Sequence, residues 1–277
     1  MAQTHSIQGA GGVRLHVQEF GNPQGIPLLL IHGWTQGSLC WARQYESALA
    51  EEFRIVCPDL RGHGQSAKPA GEAHYTDSAL WAGDVDAVIR ALSLDRPVLA
   101  GWSYGSLVAG MYLRHYGDGA LGGINFVGSG VRVAPDLIGT LLGTVFLEVL
   151  PKVVSEDLAV QIDGIRQFLR ACLVAPVSRE DWESALCYNI VVPPAVRAAL
   201  LAQPIDITPD VARMTKPALL SHGLADGITL PAMGELLLQH CPTARASWYE
   251  GVGHGPFIEA PERFNQELAA FARSTRN

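Results

Sequence analysis

Short unbroken apolar runs alternate along this chain with longer stretches in which apolar side chains recur every three or four positions. Residues 27–31, 53–57, 97–100, 124–128, 217–221 and 246–249 are runs of the first kind. Runs this short, apolar on both faces, predict strands covered on both sides, as in a parallel sheet. Residues 4–19 predict two further strands joined around Gly9-Ala10-Gly11-Gly12 as a hairpin. Residues 76–92 place Leu80, Val85, Val88, Ile89 and Leu92 at helical spacing, and residues 261–273 do the same with Phe264, Leu268 and Phe271. Strand and helix alternate, so the predicted class is α/β with crossover helices. Ligands of such sheets bind outside the carboxyl ends of the strands.

The alternation breaks between residues 132 and 209. Helices are expected at 137–150, 156–173, 179–188 and 195–201, separated by Pro151, Pro176, Pro193, Pro194 and Pro204. An all-helical insertion between two sheet strands predicts a cap at 132–209 over a core domain built from 1–131 and 210–277. The competing arrangement has these helices flanking the sheet. The apolar stretch 137–150 contains Gly139, Gly143 and Glu148 and is shorter than a bilayer span requires, which predicts a buried or cleft-lining helix.

Composition narrows the partners. With 48% hydrophobic and 17% charged residues in 277, the chain is expected to fold around a large core. A net charge of −7 without any basic run argues against a nucleic-acid or anionic-membrane surface and leaves a small-molecule substrate as the expected partner. The five cysteines are scattered and lack C-x-x-C spacing, so neither a disulfide framework nor a metal site is expected, and no cofactor is. The polar start, Met1-Ala2-Gln3-Thr4-His5, carries no secretory pattern, which predicts a cytoplasmic protein.

Gly101-Trp102-Ser103-Tyr104-Gly105 lies between a predicted strand and a predicted helix. A serine on so abrupt a turn is lifted clear of both elements, and glycines two positions either side permit the close approach. Spacing alone also fits an idle serine in a glycine-rich turn. An alcohol nucleophile needs a base, and the base an orienting acid. Asp226, just past the 217–221 run, is the candidate acid; its competing role is to cap a turn. His254, between glycines after the 246–249 run, is the candidate base; its competing role is as a solvated loop residue. Ser, Asp and His in that order, each just beyond a strand, are far less expected by accident than any one alone. The candidate oxyanion donors are the backbone N–H groups of Tyr104 and Trp34, the latter in the loop after the 27–31 run. Loss of one such donor typically costs about 3–4 kcal/mol of transition-state stabilisation.

These pieces together resemble the α/β-hydrolase fold superfamily. The matching stretches are His32-Gly33-Trp34, Asp59 to Ser66, the serine turn, His222-Gly223 with Asp226, and Gly253-His254 followed by Glu259-Ala260-Pro261-Glu262. The resemblance implies an eight-stranded, mostly parallel sheet with antiparallel first strands. It implies Ser103, Asp226 and His254 as the triad, with Trp34 and Tyr104 as oxyanion donors. His32 and His63 would brace backbone, as their counterparts in such motifs do. Two positions depart from the common pattern: Ser106 replaces a second glycine, and Tyr104 a methionine or leucine. The Tyr104 phenol faces either the substrate or the protein interior. Trp34, Trp41, Phe146, Phe168, Trp182 and Tyr188 are candidates for pocket wall or core.

The expected activity is hydrolysis of a carboxylic ester or lactone with a hydrophobic portion, through an acyl-enzyme. The same triad serves cofactor-free haloperoxidases or perhydrolases, carbon–carbon bond hydrolases and acylhomoserine lactonases. A ligand receptor on the same fold is the alternative without catalysis. Serine at the turn disfavours an epoxide hydrolase or dehalogenase, which need a carboxylate there.

Overall fold

The computed structural model describes residues 2–276. The strands are β1 (Gln3–Gln8), β2 (Arg14–Gly21), β3 (Pro27–Ile31), β4 (Arg54–Pro58), β5 (Val98–Trp102), β6 (Gly123–Val127), β7 (Arg132–Val133), β8 (Ile205–Asp206), β9 (Ala218–Gly223) and β10 (Ala244–Tyr249). The main sheet has eight strands in the order β1-β2-β4-β3-β5-β6-β9-β10. β1 pairs antiparallel with β2 and β2 with β4; every other pairing in it is parallel. The expected eight-stranded, mostly parallel sheet is present.

Side chains along β3 show why the apolar runs are unbroken. Leu28 and Leu30 enter one core layer with Trp41, Phe264, Leu268 and Phe271. Leu29 and Ile31 enter the other with Val85, Val88, Val108 and Leu237. Period-two alternation therefore buries both faces, and each fully buried leucine contributes about 1.5–3 kcal/mol. The helices Ser78–Ala91, Tyr104–Tyr116 and Pro231–His240 supply the first-named members of the second layer, and Pro261–Ser274 most of the other.

Between β6 and β9 the chain leaves the sheet. The helices Val145–Val153, Leu158–Cys172, Arg179–Ile190 and Pro194–Ala199 follow, and β7 pairs antiparallel with β8 at the neck of the excursion. The expected helix at 137–150 forms only in its second half. Residues 138–144 instead make a loop in which Gly139 N–H donates to the Leu142 carbonyl (2.6 Å) and Gly143 N–H to that of Ile228 (2.9 Å). A side chain at Gly143 would collide with the Gly227 carbonyl, so a distant loop dictates the glycine. Pro151, expected as a separator, lies inside the Val145–Val153 helix. Among the described residues, no helix is long and apolar enough to cross a membrane.

Candidate active site

The turn after β5 holds Ser103 at φ 55°, ψ −113°, in a region non-glycine residues avoid. The surroundings leave it no alternative. A Cβ on Gly101 would lie 2.5 Å from the Gly105 carbonyl oxygen, and one on Gly105 2.4 Å from that of Ile31. Ser103 N–H donates to Val127 O (2.9 Å) and Ser106 Oγ to Gly101 O (2.7 Å). Ser106 therefore braces the turn where a glycine could not.

Tyr104 opens the helix behind the serine, and its N–H has no intrahelical acceptor. Neither it nor the Trp34 N–H donates to any protein group among the described residues. The loop carrying Trp34 presses on the turn, since a Cβ on Gly33 would lie 3.2 Å from Ser103 Cβ. Thr35 next to it also has positive φ, 62°, rare for a β-branched residue. Its hydroxyl donates to Asn189 Oδ1 in the excursion, and the Trp34 indole donates to Arg197 O (3.1 Å).

Asp226 and His254 meet in the interior, 3% and 1% exposed. The imidazole Nδ1 donates to Asp226 Oδ2 at 2.7 Å, which leaves the Nε2 lone pair free to take a proton. The indole of Trp102 donates to His254 O (2.9 Å) with the rings 5.6 Å apart, setting the histidine beside the serine turn. Among the described residues, no hydrogen bond joins Ser103 to His254. Asp226 Oδ1 accepts from Ile228 N–H (2.8 Å) and Thr229 N–H (3.0 Å). The turn-capping role and the histidine-facing role thus fall on different oxygens of one carboxylate. Burial alone would raise the Asp226 carboxyl; the charge and hydrogen bond of His254, then His222 and the Ile228 N–H, outweigh it and hold it below its ordinary value. His222 Nε2 lies 3.5 Å from Asp226 Oδ2, but burial keeps this histidine below its ordinary pKa and neutral. Its Nε2–H donates instead to Thr229 O at 2.9 Å.

Thr229 escaped the sequence reading. Its Oγ1 lies 3.0 Å from Asp226 Oδ2, 3.1 Å from Gly128 O and 3.3 Å from His254 Nδ1. The Asp-x-x-Thr spacing was the available signal, since a hydroxyl three positions on can return to the capping carboxylate.

Two further ties bind the excursion to the site. Cys172 O accepts from His254 N–H (2.7 Å), and Glu259 accepts from Gly253 N–H (2.8 Å), Val174 N–H (2.7 Å) and Ala175 N–H (2.8 Å). The wholly buried Arg197 guanidinium donates to Val153 O (2.6 Å), Asn189 O (2.8 Å) and Gln161 Oε1 (3.2 Å). Burial pulls it down to about 10, so it stays charged at neutral pH. One cation gathers three helices by their carbonyl ends and side chains.

A cavity of about 250 Å³ opens between the sheet and these helices. Ser103, Trp34, Tyr104 and Thr229 line it, together with Phe146, Phe168 and other largely apolar side chains. Of the six aromatic wall candidates, Trp34, Phe146 and Phe168 line it. Trp41 packs on Phe257 (4.2 Å between centroids) in the far core layer, Trp182 lies under Arg170, and Tyr188 packs against that far layer.

His32 and His63 are buried braces. His32 Nε2 accepts from Leu60 N–H (3.0 Å) and its Nδ1–H donates to Gly33 O (2.9 Å). His63 Nδ1–H donates to Arg61 O (2.9 Å), and burial, then the His32 charge, lower it to about 3. The native state keeps this ring neutral while the unfolded chain takes a proton near pH 6.5. Below that pH the unfolded state binds more protons, so stability falls as pH drops from about 6.5 toward 3, by up to about 1.4 kcal/mol per pH unit from this residue. His63→Asn keeps a donor for Arg61 O and should flatten the slope by that amount. Urea midpoints between pH 7 and 4.5 check this; an unchanged slope refutes it.

A family model described as the alpha/beta hydrolase family matches residues 28–267. The structure is similar to that of a candidate aryl esterase from Burkholderia cenocepacia, with TM-score 0.94, 31% identity and 99% of both chains covered. It is also similar to the esterase RhEst1 from Rhodococcus sp. ECU1013, with TM-score 0.91, 34% identity, and 98% of this chain and 99% of that one covered. In sequence it is 26% identical over 266 residues to a pimeloyl-[acyl-carrier protein] methyl ester esterase of Vibrio vulnificus, covering 93% of this chain and 98% of the relative.

Proposed function

The chain belongs to the alpha/beta hydrolase family, and on that premise we propose that it hydrolyses neutral, apolar carboxylic esters through Ser103, His254 and Asp226. One observation carries this. Ser103, Thr229 beside the Asp226–His254 pair, and Trp34 and Tyr104, whose backbone N–H groups donate to no protein group among the described residues, all line one largely apolar cavity.

Ser103 Oγ attacks the ester carbonyl as His254 Nε2 takes its proton, and Asp226 stabilises the imidazolium so formed. The carbonyl oxygen becomes an oxyanion held by the N–H groups of Trp34 and Tyr104. The imidazolium gives its proton to the departing alkoxide, leaving an acyl-serine and a free alcohol. Water then attacks the acyl carbon, losing a proton to His254, and the acid leaves as Ser103 regains its proton. Residues 132–209 act as a cap domain over the core formed by 1–131 and 210–277. The largely apolar wall gives no partner to a charged acyl chain, which would be buried unpaired.

The test is a panel of nitrophenyl esters, a lactone and a perhydrolysis assay, with fluorophosphonate labelling mapped by mass spectrometry. Labelling confined to Ser103, with multiple turnover on short-chain esters, is expected. Faster lactone opening or perhydrolysis than ester cleavage would displace the ester reading. Labelling without turnover would favour a receptor.

A further inference from the structure

A second cavity, of about 190 Å³, adjoins the first, lined by polar groups that include Thr76, Ser78, Arg114 and Asp206. Tyr104, Gln203 and Pro204 belong to both walls. Tyr104 is 4% exposed, with its ring edge-on to Trp81 at 5.6 Å between centroids. Among the described residues the Tyr104 hydroxyl has no hydrogen-bond partner, and unlike the Trp41 indole nitrogen it is not sealed off from open space. A side chain with an apolar body and an unpaired polar tip suits a wall between an apolar chamber and a polar one.

We propose that the Tyr104 side chain, with Gln203 and Pro204, is a partition that ends the acyl chamber and sets the longest acyl chain the enzyme accepts. The polar chamber behind it is a latent subsite for the oxygenated end of a longer chain. This rests on the esterase assignment above. Each methylene that a hydrophobic pocket admits is worth about fourfold in kcat/KM, so a wall that stops a chain several carbons short gives a steep cut-off.

The experiment compares wild type, Tyr104→Phe, Tyr104→Ala and Gln203→Ala on nitrophenyl butyrate, decanoate and 10-hydroxydecanoate. The readout is the ratio of kcat/KM for long over short chains within each variant, which cancels any change at the adjacent oxyanion donor. Tyr104→Phe keeps the ring and should keep the wild-type ratio. Tyr104→Ala should raise it at least tenfold, more for the hydroxylated chain than for decanoate. Gln203→Ala, on an exposed stretch of wall, should move it the same way by less, and serves if Tyr104→Ala does not fold. A ratio within twofold of wild type in both alanine variants overturns the partition, as does a decanoate gain equal to the hydroxydecanoate gain for the polar subsite. If wild type cleaves none of these esters, the esterase assignment fails. Calorimetric binding of 2-hexanone and 2-dodecanone then decides the partition alone. The alanine variants should gain at least tenfold in relative affinity for the longer ketone, and no gain refutes it.

Discussion

Ser103→Ala should lower kcat for nitrophenyl butyrate by about 10⁵–10⁶-fold, and adding His254→Ala should cost almost nothing more. The proposed mechanism has serine and histidine acting as one unit: without the hydroxyl, no proton remains for the imidazole to remove. What survives is the stabilisation from the N–H groups of Trp34 and Tyr104, about 10³–10⁴ over the reaction in water. The substitution removes one oxygen from a partly exposed residue whose hydrogen bonds, among the described residues, are made by its backbone, so the thermal midpoint should stay within a few degrees. Burst and steady-state kinetics on the single and double variants measure both claims. A single variant retaining more than a hundredth of wild-type kcat sinks the nucleophile assignment. Losses that multiply in the double variant would mean that the two residues act separately.

The largest effect on stability is expected from a buried ion pair outside the cavity lining. Arg61 and Asp84 form a two-pronged pair, Nε to Oδ2 at 2.7 Å and one terminal nitrogen to Oδ1 at 2.8 Å, with side chains 0% and 4% exposed. The guanidinium also donates to the carbonyls of His74, Ala10 and Leu80 at 3.0–3.1 Å. Arg61→Met keeps the bulk and strands the Asp84 carboxyl with, among the described residues, only the Ala10 N–H. Burial already raises that carboxyl above its ordinary value despite Arg61. Removing one partner of a buried pair costs about 3–5 kcal/mol, which lowers Tm by roughly 10 °C. Arg61→Met/Asp84→Leu, which removes both charges, should recover part of the loss. Urea denaturation tests this, and a single-variant loss below about 1 kcal/mol would show that the pair is not as dry as its geometry indicates.

Asp59, Arg61, His63 and Ser66 illustrate what could be read before the fold was known. Their motif marks the family, but every one of them serves the backbone: Asp59 accepts from the N–H groups of Ser38 and Gln65, and Ser66 Oγ receives the His16 N–H. The strands were legible because covering a sheet on both faces forces local, unbroken apolar runs. Ser103, Asp226 and His254 could be picked out as candidates because each lies just past such a run, where a parallel sheet presents its carboxyl ends. The 138–144 loop was not, because a high apolar content reports burial and not helicity, and Gly143 answers to Gly227 across a tertiary contact. Nor could Phe146 and Phe168 be told from Trp41 and Trp182 as cavity wall. Which flank of an excursion helix looks down is decided by partners such as Arg197 and Glu259 that lie in other segments. The two-residue β7 and β8 carry no periodicity from which to find them.

β6 and β9 are direct neighbours in the sheet, Ile124 opposite Ala218 and Val127 opposite Ser221, although the whole excursion is threaded between them. The entropy of closing that loop rises only logarithmically, so each doubling of the intervening chain costs about 0.6 kcal/mol. A longer or shorter roof would leave the pairing almost as favourable, because the two strands find each other through their own buried faces. Chain length is thus a cheap variable at this one junction, and descendants of such a scaffold can exchange the roof while the floor beneath it keeps its register.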